Sequence, residues 1–362
     1  MLKRFLYIRF NVTAIFLYRN QLCLMADVQK QGCEEMRQVS IGGQAVLEGV
    51  MMKNNDKYAI AIRKPDNEIE VKVSEFKPAG SRFALFKVPI IRGVVNFIES
   101  LVIGVKTLTY SADFLEEDEE PETDMKKIKK EDKDEEKADK GKTDKDKTDK
   151  NNSDNLWMFG TVVVSIVLAV GLFMLLPAFL ASLLDKAVKN HFVLGLIEGV
   201  IRLIIFMIYV VLISRMKEIK RTYMYHGAEH KCINCLEHGD ALTVENVMKH
   251  TRFHKRCGTS FLFIVMIVSI LVFMCIDTDT MALRLLYRVL LVPVIAGISY
   301  EFIKFAGRSE SFIANVLSKP GLWIQRLTTK EPEADMVEVA IKSVEGVLDW
   351  REYLEELAPQ DR

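Results

Sequence analysis

The residues best suited to chemistry are concentrated between positions 226 and 257. His226, Glu229 and His230 form an H-x-x-E-H pattern, which on a helix places both imidazoles and the carboxylate on one side. In proteins with this pattern, two histidines hold zinc and the glutamate activates a water molecule. The same stretch contains further residues of ligand type, namely Cys232, Cys235, His238, His250, His254 and Cys257. Because a reducing compartment keeps thiols free, this density favours a metal over a disulfide.

Two zinc sites can be built from these residues, and the sequence leaves both open. A structural site would close a tetrahedron with four ligands, Cys232, Cys235, His254 and Cys257. A catalytic site would use His226, His230 and a third ligand, keep one coordination position for water, and employ the neighbouring glutamate as general base. The candidates for the third ligand are His254, Cys257 and Glu48. The carboxylate of Glu229 favours the catalytic site and hence metal-dependent hydrolysis.

Two helices are expected to position these side chains. The first carries the H-x-x-E-H pattern, although Gly227 within it weakens the helix assignment. The second begins after Thr243, a residue type that caps helix N-termini. His250, His254 and Cys257 then follow at intervals of four and three residues, which predicts that they share one face of this second helix.

Glu48 lies in a different setting, among short runs typical of strands. Glycines at positions 42, 43 and 49 bracket it, and they indicate either a tight strand connection or a site residue brought close to another backbone. Downstream, apolar residues alternate over positions 58–62 and again over 69–73, with Pro65-Asp66-Asn67 between them. This pattern predicts a β-hairpin.

Four apolar segments are each close to the length of about 20 residues that crosses a bilayer. They are Trp157 to Leu184, Phe192 to Ile213, Ser260 to Ile276 and Leu285 to Phe305. Charged residues interrupt the second and fourth segments at Glu198, Arg202, Arg288 and Glu301, and such residues are expected to face other helices rather than lipid. The segments exclude a purely soluble enzyme.

Basic residues indicate how these spans are oriented. Residues 214–259 contain nine Lys and Arg and residues 306–330 contain four, whereas the two short connections at 185–191 and 277–284 contain three together. Positive charge marks the cytoplasmic side of a membrane protein. The sequence therefore predicts a multi-pass protein of the cell membrane with both termini in the cytoplasm.

The remaining segments differ strongly in composition. Residues 113–155 hold 18 acidic residues and 11 lysines, a net charge of −7, and are expected to form a disordered tether. The other predicted divisions are a leader at 1–39, a cytoplasmic part with the hairpin and an amphipathic helix at 40–112, spans at 156–213 and 260–306, the metal-binding loop at 214–259, and a helical C-terminal segment at 307–362. The amphipathic helix is expected to lie in the interface or pack against the bundle. The predicted fold class is an α-helical integral membrane protein with about four transmembrane helices and a small cytoplasmic α+β part.

Short motifs spread over residues 40–345 are highly specific when taken together. They are GGQAVLEGVMM at 42–52, IRGVV at 91–95, HGAEHK at 226–231, LTVENV at 242–247, RFHKRCGTSF at 252–261, AGISYE at 296–301 and PGLWIQ at 320–325. In these motifs the chain resembles the YqhQ-like family of bacterial membrane proteins, described as predicted metal-dependent enzymes. The resemblance implies a multi-span protein and site positions at His226, Glu229, His230, His254 and Cys257. It also implies that position 232 is more often threonine than cysteine, which argues against the structural site.

A non-enzymatic protein is the alternative: a scaffold, assembly factor or transporter with a structural metal or none. The charged residues within the spans favour it, and the sequence contains no phosphate-binding loop or nucleophile elbow. Basic residues lack the aromatic interleaving of nucleic-acid binding proteins, so no nucleic-acid partner is expected. The expected partners are the lipid bilayer and a substrate that the sequence does not identify, and homo-oligomerisation stays open.

Overall fold

The computed structural model describes residues 39–78, 84–116, 160–184, 186–276, 280–308 and 311–357. The predicted leader, apart from its last residue, and most of the predicted charged tether lie outside the described residues. The four strands are β1 (Ile41–Val46), β2 (Gly49–Asn54), β3 (Lys57–Arg63) and β4 (Ile69–Glu75). The helices are α1 (Ile91–Glu116), α2 (Gly160–Ser182, with a π-helical stretch Gly171–Leu175), α3 (His191–Ile213), α4 (Lys217–Glu237), α5 (Val244–Lys249), α6 (Gly258–Phe273), α7 (Met281–Arg308), α8 (Phe312–Thr328), α9 (Ala334–Glu345) and α10 (Trp350–Leu357).

The strands form one antiparallel sheet in the order β1-β2-β3-β4. The predicted hairpin is present as β3 and β4, in a register that pairs Ala61 with Val71. A second hairpin, β1 and β2, precedes it, and Glu48 lies in its turn with a φ of 49°. Of the three glycines around Glu48, Gly49 adjoins this tight strand connection, whereas Gly42 and Gly43 lie within β1.

Helices cover the two faces of the sheet. On one face, Val50, Met52 and Ala61 pack in a core with residues of α4 and α9. On the other face, Met51 and Ile60 pack near Ile103 of α1. Since successive residues of β2 and β3 point to opposite faces and both faces are covered, these strands are apolar nearly throughout.

Among the described residues, three helices are long and apolar enough to cross a membrane: Gly160–Ser182, His191–Ile213 and Leu283–Gly307. They correspond to the first, second and fourth predicted spans. The third predicted span corresponds to α6, which is apolar but has only 16 residues. At about 1.5 Å per residue α6 is roughly 24 Å long, somewhat less than the hydrocarbon core of about 30 Å.

The charged residues within these helices face other helices, as the sequence predicts, and they form ion pairs there. Glu198 of α3 accepts hydrogen bonds from Arg202 at 2.8 Å and from Arg288 of α7 at 2.6 Å, and all three side chains are buried. Glu301 of α7 pairs with Arg92 of α1 at 2.7 Å. The amphipathic helix α1 thus packs against the apolar helix α7.

Candidate metal centre

The H-x-x-E-H pattern lies on one continuous helix, α4, as predicted. Packing explains why a glycine interrupts this pattern. A Cβ atom at Gly227 would lie 2.0 Å from the carbonyl oxygen of Lys330. The main-chain amide of Lys330 donates to the carbonyl of Tyr223 at 2.8 Å, so the segment after α8 runs directly over α4. Glycine is required by this close approach of two backbones.

The second predicted helix is shorter than the sequence pattern indicated. Thr243 caps α5 as expected, because its hydroxyl accepts a hydrogen bond from the main-chain amide of Asn246 at 3.3 Å. The helix ends at Lys249, however, and residues 250–257 are not helical. The prediction that the two histidines and the cysteine of this segment share a helical face is therefore wrong.

Residues 250–257 are held by hydrogen bonds from side chains of α4. These bonds replace the main-chain hydrogen bonds of a helix. The ammonium of Lys231 donates to the carbonyls of Met248 and His250, at 3.0 and 2.7 Å. The amide of Asn234 donates to the carbonyl of Thr251 at 2.6 Å. In a continuing helix these carbonyls would accept from main-chain amides, so α4 competes with the helix and turns the chain back towards itself.

Three side chains of ligand type converge where this segment returns to α4. One ligand atom from each of His226, His230 and Cys257 lies within 4.8 Å of the other two. The histidines are one helical turn apart on α4, and Cys257 is the N-cap residue of α6, where its sulfur accepts from the amide of Thr259. The sulfur lies 3.2 Å from Nε2 of His226.

Main-chain carbonyls fix the orientation of both imidazoles. Nδ1 of His226 lies 2.9 Å from the carbonyl oxygen of Thr328, and Nδ1 of His230 lies 2.6 Å from that of Arg252. Since a carbonyl only accepts, Nδ1 of each ring donates, and Nε2 of each ring is left for the cluster. Nε2 of His230 is buried and has no hydrogen-bond partner among the described residues. Metal-binding histidines are oriented by this kind of hydrogen bond from the other ring nitrogen.

Close contact within the cluster shifts the pKa values of Cys257 and His226 in opposite directions. Burial by itself would raise the pKa of Cys257, but His226 and His230 outweigh it and hold that pKa well below its usual range. Burial by itself would lower the pKa of His226, yet the Cys257 sulfur and then Glu229 raise it to about 9. These opposite shifts favour a thiolate beside an imidazolium, whose proton takes the place that a metal cation would take beside the sulfur.

Glu229 lies beside the three ligand atoms without joining them. Its Oε2 is 4.0 Å from Nε2 of His226, and a Cβ atom at Gly43 of β1 would lie 2.8 Å from its Oε1. Burial raises the pKa of Glu229, and the imidazoles of His230 and His226 offset part of that rise. Gly43, a residue that the sequence associated with Glu48, thus makes room for Glu229.

Two of the predicted ligands have other partners. Glu48 forms an ion pair with Arg221, which donates to its Oε2 at 2.6 Å. The ring of His254 is 5.8 Å from that of His230, and its Nε2 lies 3.2 Å from a carboxylate oxygen of Glu237. Within the described residues, only His226, His230 and Cys257 form a group that could hold a metal.

The two cysteines of the alternative structural site are also apart from the cluster. Cys232 and Cys235 are buried in the apolar core that α4 shares with the sheet. Burial raises the pKa of Cys232 well above its usual value and that of Cys235 to about 12, so both are neutral thiols. The sulfur of Cys235 lies 3.7 Å from the carbonyl of Asp240. The structure therefore does not bring the four ligands of that site together.

Sequence reasoning missed the contribution of α8 to the site. Gln325 accepts from the amide of His254 at 2.9 Å and donates to the carbonyl of His254 at 2.7 Å and to the hydroxyl of Ser260 at 2.9 Å. It thereby fixes the chain on both sides of Cys257. Thr328 contributes to the site only its main-chain carbonyl, which contacts His226. Every residue has this group, so no sequence pattern could have indicated it.

Comparisons with known proteins identify the family of the chain. The model of a family described as "Protein of unknown function (DUF1385)" matches residues 88–350. The chain is 35% identical over 330 residues to a protein of Bacillus subtilis (strain 168) named "Uncharacterized protein YqhQ", a match that covers 89% of this chain and 95% of that protein. No solved structure matches the chain.

Proposed function

The chain belongs to the DUF1385 family, and from this premise we propose a membrane-embedded metal-dependent enzyme, hydrolytic in its chemistry, with a centre formed by His226, His230 and Cys257. The observation that carries the proposal is the buried Nε2 of His230, which has no hydrogen-bond partner among the described residues. Leaving such an atom unsatisfied costs about 1–3 kcal/mol. A cation shared with the Cys257 sulfur and Nε2 of His226 removes that cost.

The ligand set favours zinc at a site of the catalytic kind. A thiolate and two imidazoles are ligands that zinc prefers. Three protein ligands leave a fourth tetrahedral position open, as in zinc enzymes, whereas structural sites close all four. When bound there, zinc would supply a water molecule of lowered pKa.

Within this proposal Glu229 is the general base. Its carboxylate lies 4.0 Å from a ligand nitrogen and is buried, which raises its pKa towards the range in which a carboxylate accepts protons efficiently near neutral pH. The carbonyls of Thr328 and Arg252 keep the two imidazoles in place while the proton moves.

The membrane part of the proposal combines the apolar helices with the charge distribution. Three helices of the described part of the chain have the length and composition of spans, and α6 is proposed as a fourth, shorter one. The nine basic residues of 214–259 favour a cytoplasmic position for α4 and α5. The site then faces the cytoplasm at the inner end of α6, in a protein of the cell membrane with both termini inside.

Metal analysis of the purified protein in detergent tests the centre. We expect one zinc ion per chain in the wild type and its loss in His226→Ala, His230→Ala and Cys257→Ser. His250→Ala and Cys275→Ser are matched controls, because His250 pairs with Asp240 and Cys275 lies just beyond the far end of α6. Cobalt substitution adds a second reading, since a thiolate ligand produces a charge-transfer band that Cys257→Ser should abolish. Equal metal content in all variants would refute the centre.

Glu229→Gln separates an enzyme from a metal-stabilised scaffold. We expect this variant to retain its metal and to lose about 10²–10⁴-fold in turnover of whichever ester, amide or phosphoester the wild type hydrolyses in a substrate screen. Full activity with Gln at this position would remove Glu229 from the mechanism.

A second candidate function, transport or assembly without catalysis, is favoured by one observation. Glu198 is shared by two arginines, Arg202 and Arg288, inside helices of membrane-crossing length. Charged residues at such depth commonly mark pathways for ions or polar substrates. In that case Glu198→Gln should abolish transport by protein that is still folded, as judged by its unchanged zinc content.

A further inference from the structure

One face of α8 carries large side chains that nothing in the described protein covers. Phe312 is 82% exposed and Trp323 is 55% exposed, and Val316 is exposed as well. Lys319 and Arg326 are exposed on the same side. The five positions follow one another at intervals of four, three, four and three residues, so they form a single stripe along the helix.

The opposite face of α8 is buried against the protein. Ile324 and Gln325 are fully buried, and so is Ala314. A Cβ atom at Gly321 would lie 2.6 Å from the hydroxyl oxygen of Ser260 in α6. The exposed stripe is therefore not the packing face of the helix, and it needs an explanation of its own.

Contacts at both ends of α8 show that it crosses the start of α6 rather than running beside it. Near one end, Asn315 accepts from the ammonium of Lys255 at 2.9 Å. Near the other, Gln325 bonds to His254 and Ser260. These two positions of α8 are about 15 Å apart along its axis, yet their partners all lie within a few residues of the first turn of α6. If α6 spans the membrane, α8 lies in the plane of its surface.

The composition of the stripe selects lipid as its partner. Aromatic side chains are enriched at the level of the headgroups, and Lys and Arg beside them attract anionic lipids. The sequence of α8 contains two basic residues and no acidic residue. We propose that the exposed face of α8 binds anionic headgroups of the cytoplasmic leaflet, with Trp323 and Phe312 inserted at the interface. This inference rests on the membrane insertion proposed above but not on the metal.

Fluorescence of Trp323 tests the position of α8. The chain contains three tryptophans, so the full-length protein with Trp157→Phe and Trp350→Phe has Trp323 as its single reporter. In vesicles of phosphatidylcholine and phosphatidylglycerol, we expect stronger quenching by lipids brominated near the headgroup than by lipids brominated deep in the chain, and weak quenching by acrylamide. The matched control carries Trp157→Phe and Trp323→Phe, and its Trp350, buried beside the sheet, should respond to neither lipid.

The charge of the stripe is tested with brominated phosphatidylglycerol against brominated phosphatidylcholine at equal bromine content. We expect the anionic lipid to associate with Trp323 more strongly, by roughly five-fold for each basic residue. Lys319→Gln with Arg326→Gln should make the two lipids equivalent. Lys249→Gln with Lys342→Gln removes the same charge elsewhere and should leave the preference intact.

Separate outcomes distinguish this inference from the membrane insertion on which it rests. Protein that does not float with the vesicles, or that is extracted from them at high pH, refutes insertion itself. Protein that floats and resists extraction, but whose Trp323 is quenched freely by acrylamide, refutes only the position of α8. Protection from acrylamide without quenching by either bromolipid means that a second copy of the chain covers the stripe, which also overturns the proposal.

Discussion

Replacement of Gly227 by alanine is the sharpest test of how the site is built. The new Cβ atom would lie 2.0 Å from the carbonyl oxygen of Lys330, where ordinary contacts begin at 3.4 Å. Because the clash is between two main chains, the segment after α8 must move by about 1.4 Å to restore an ordinary contact. Such a movement breaks the bond between Lys330 and Tyr223 and draws the carbonyl of Thr328 away from His226.

The expected magnitude follows from three contributions to the free energy of unfolding. Overpacking costs about 1–3 kcal/mol and the lost main-chain hydrogen bond about 1 kcal/mol. Alanine is the better helix former by about 1 kcal/mol, which offsets part of this. We expect Gly227→Ala to destabilise the protein by roughly 2 kcal/mol. Loss of the Thr328 carbonyl from His226 should weaken zinc binding by about 10–100-fold.

Thermal unfolding and zinc competition with a chromophoric chelator, both in detergent, measure the two effects. Gly258→Ala is the matched control: it lies next to Cys257 at the first position of α6, and a Cβ atom there meets nothing within 4 Å. It should retain the Tm and the zinc Kd of the wild type. If Gly227→Ala behaves like Gly258→Ala in both measurements, the close approach of α4 and the segment after α8 is not what holds the site.

Three further substitutions test other parts of the structure. Gly43→Ala should lower the Tm, with a cost of about 1–3 kcal/mol from overpacking, whereas Gly42→Ala, whose Cβ atom would meet nothing within 4 Å, should be neutral; equal Tm values would contradict the packing of β1 on α4. Thr243→Ala removes the cap of α5 and should cost about 1 kcal/mol in denaturant unfolding, and Thr243→Ser should restore most of it. Glu198→Gln leaves two buried arginines without their shared carboxylate and should cost about 3–5 kcal/mol, so an unchanged Tm would show that these groups are hydrated.

Much of the fold could be predicted because its signals are local. The β3–β4 hairpin follows from alternation around Pro65-Asp66-Asn67, and the long apolar helices follow from composition. The upstream hairpin was less visible, because β1 and β2 contain three glycines and strands covered on both faces lose their alternation. Helix α6 begins two residues before the predicted third span and ends at Phe273, three residues before the end of that span.

The site shows where sequence patterns stop being informative. His226 and His230 are joined by a helical repeat, which spacing predicts. The spacing of His250, His254 and Cys257 also suggested a helix, but side chains of α4 take the carbonyls that such a helix needs. A competition between distant groups of this kind has no local signal. This competition nevertheless sets the path of residues 250–257, which brings Cys257 to the two histidines of α4.

The anchoring of both imidazoles by peptide oxygens has a consequence for how the protein can vary. Every amino acid possesses that oxygen, so positions 252 and 328 can change identity while the ring orientations of His226 and His230 persist. Alanine at either position keeps the same oxygen, so alanine scanning would not detect what these two carbonyls contribute to the site. The ring orientations depend instead on the path of the main chain, which is set by Gly227 and by the side-chain amides of Asn234 and Gln325.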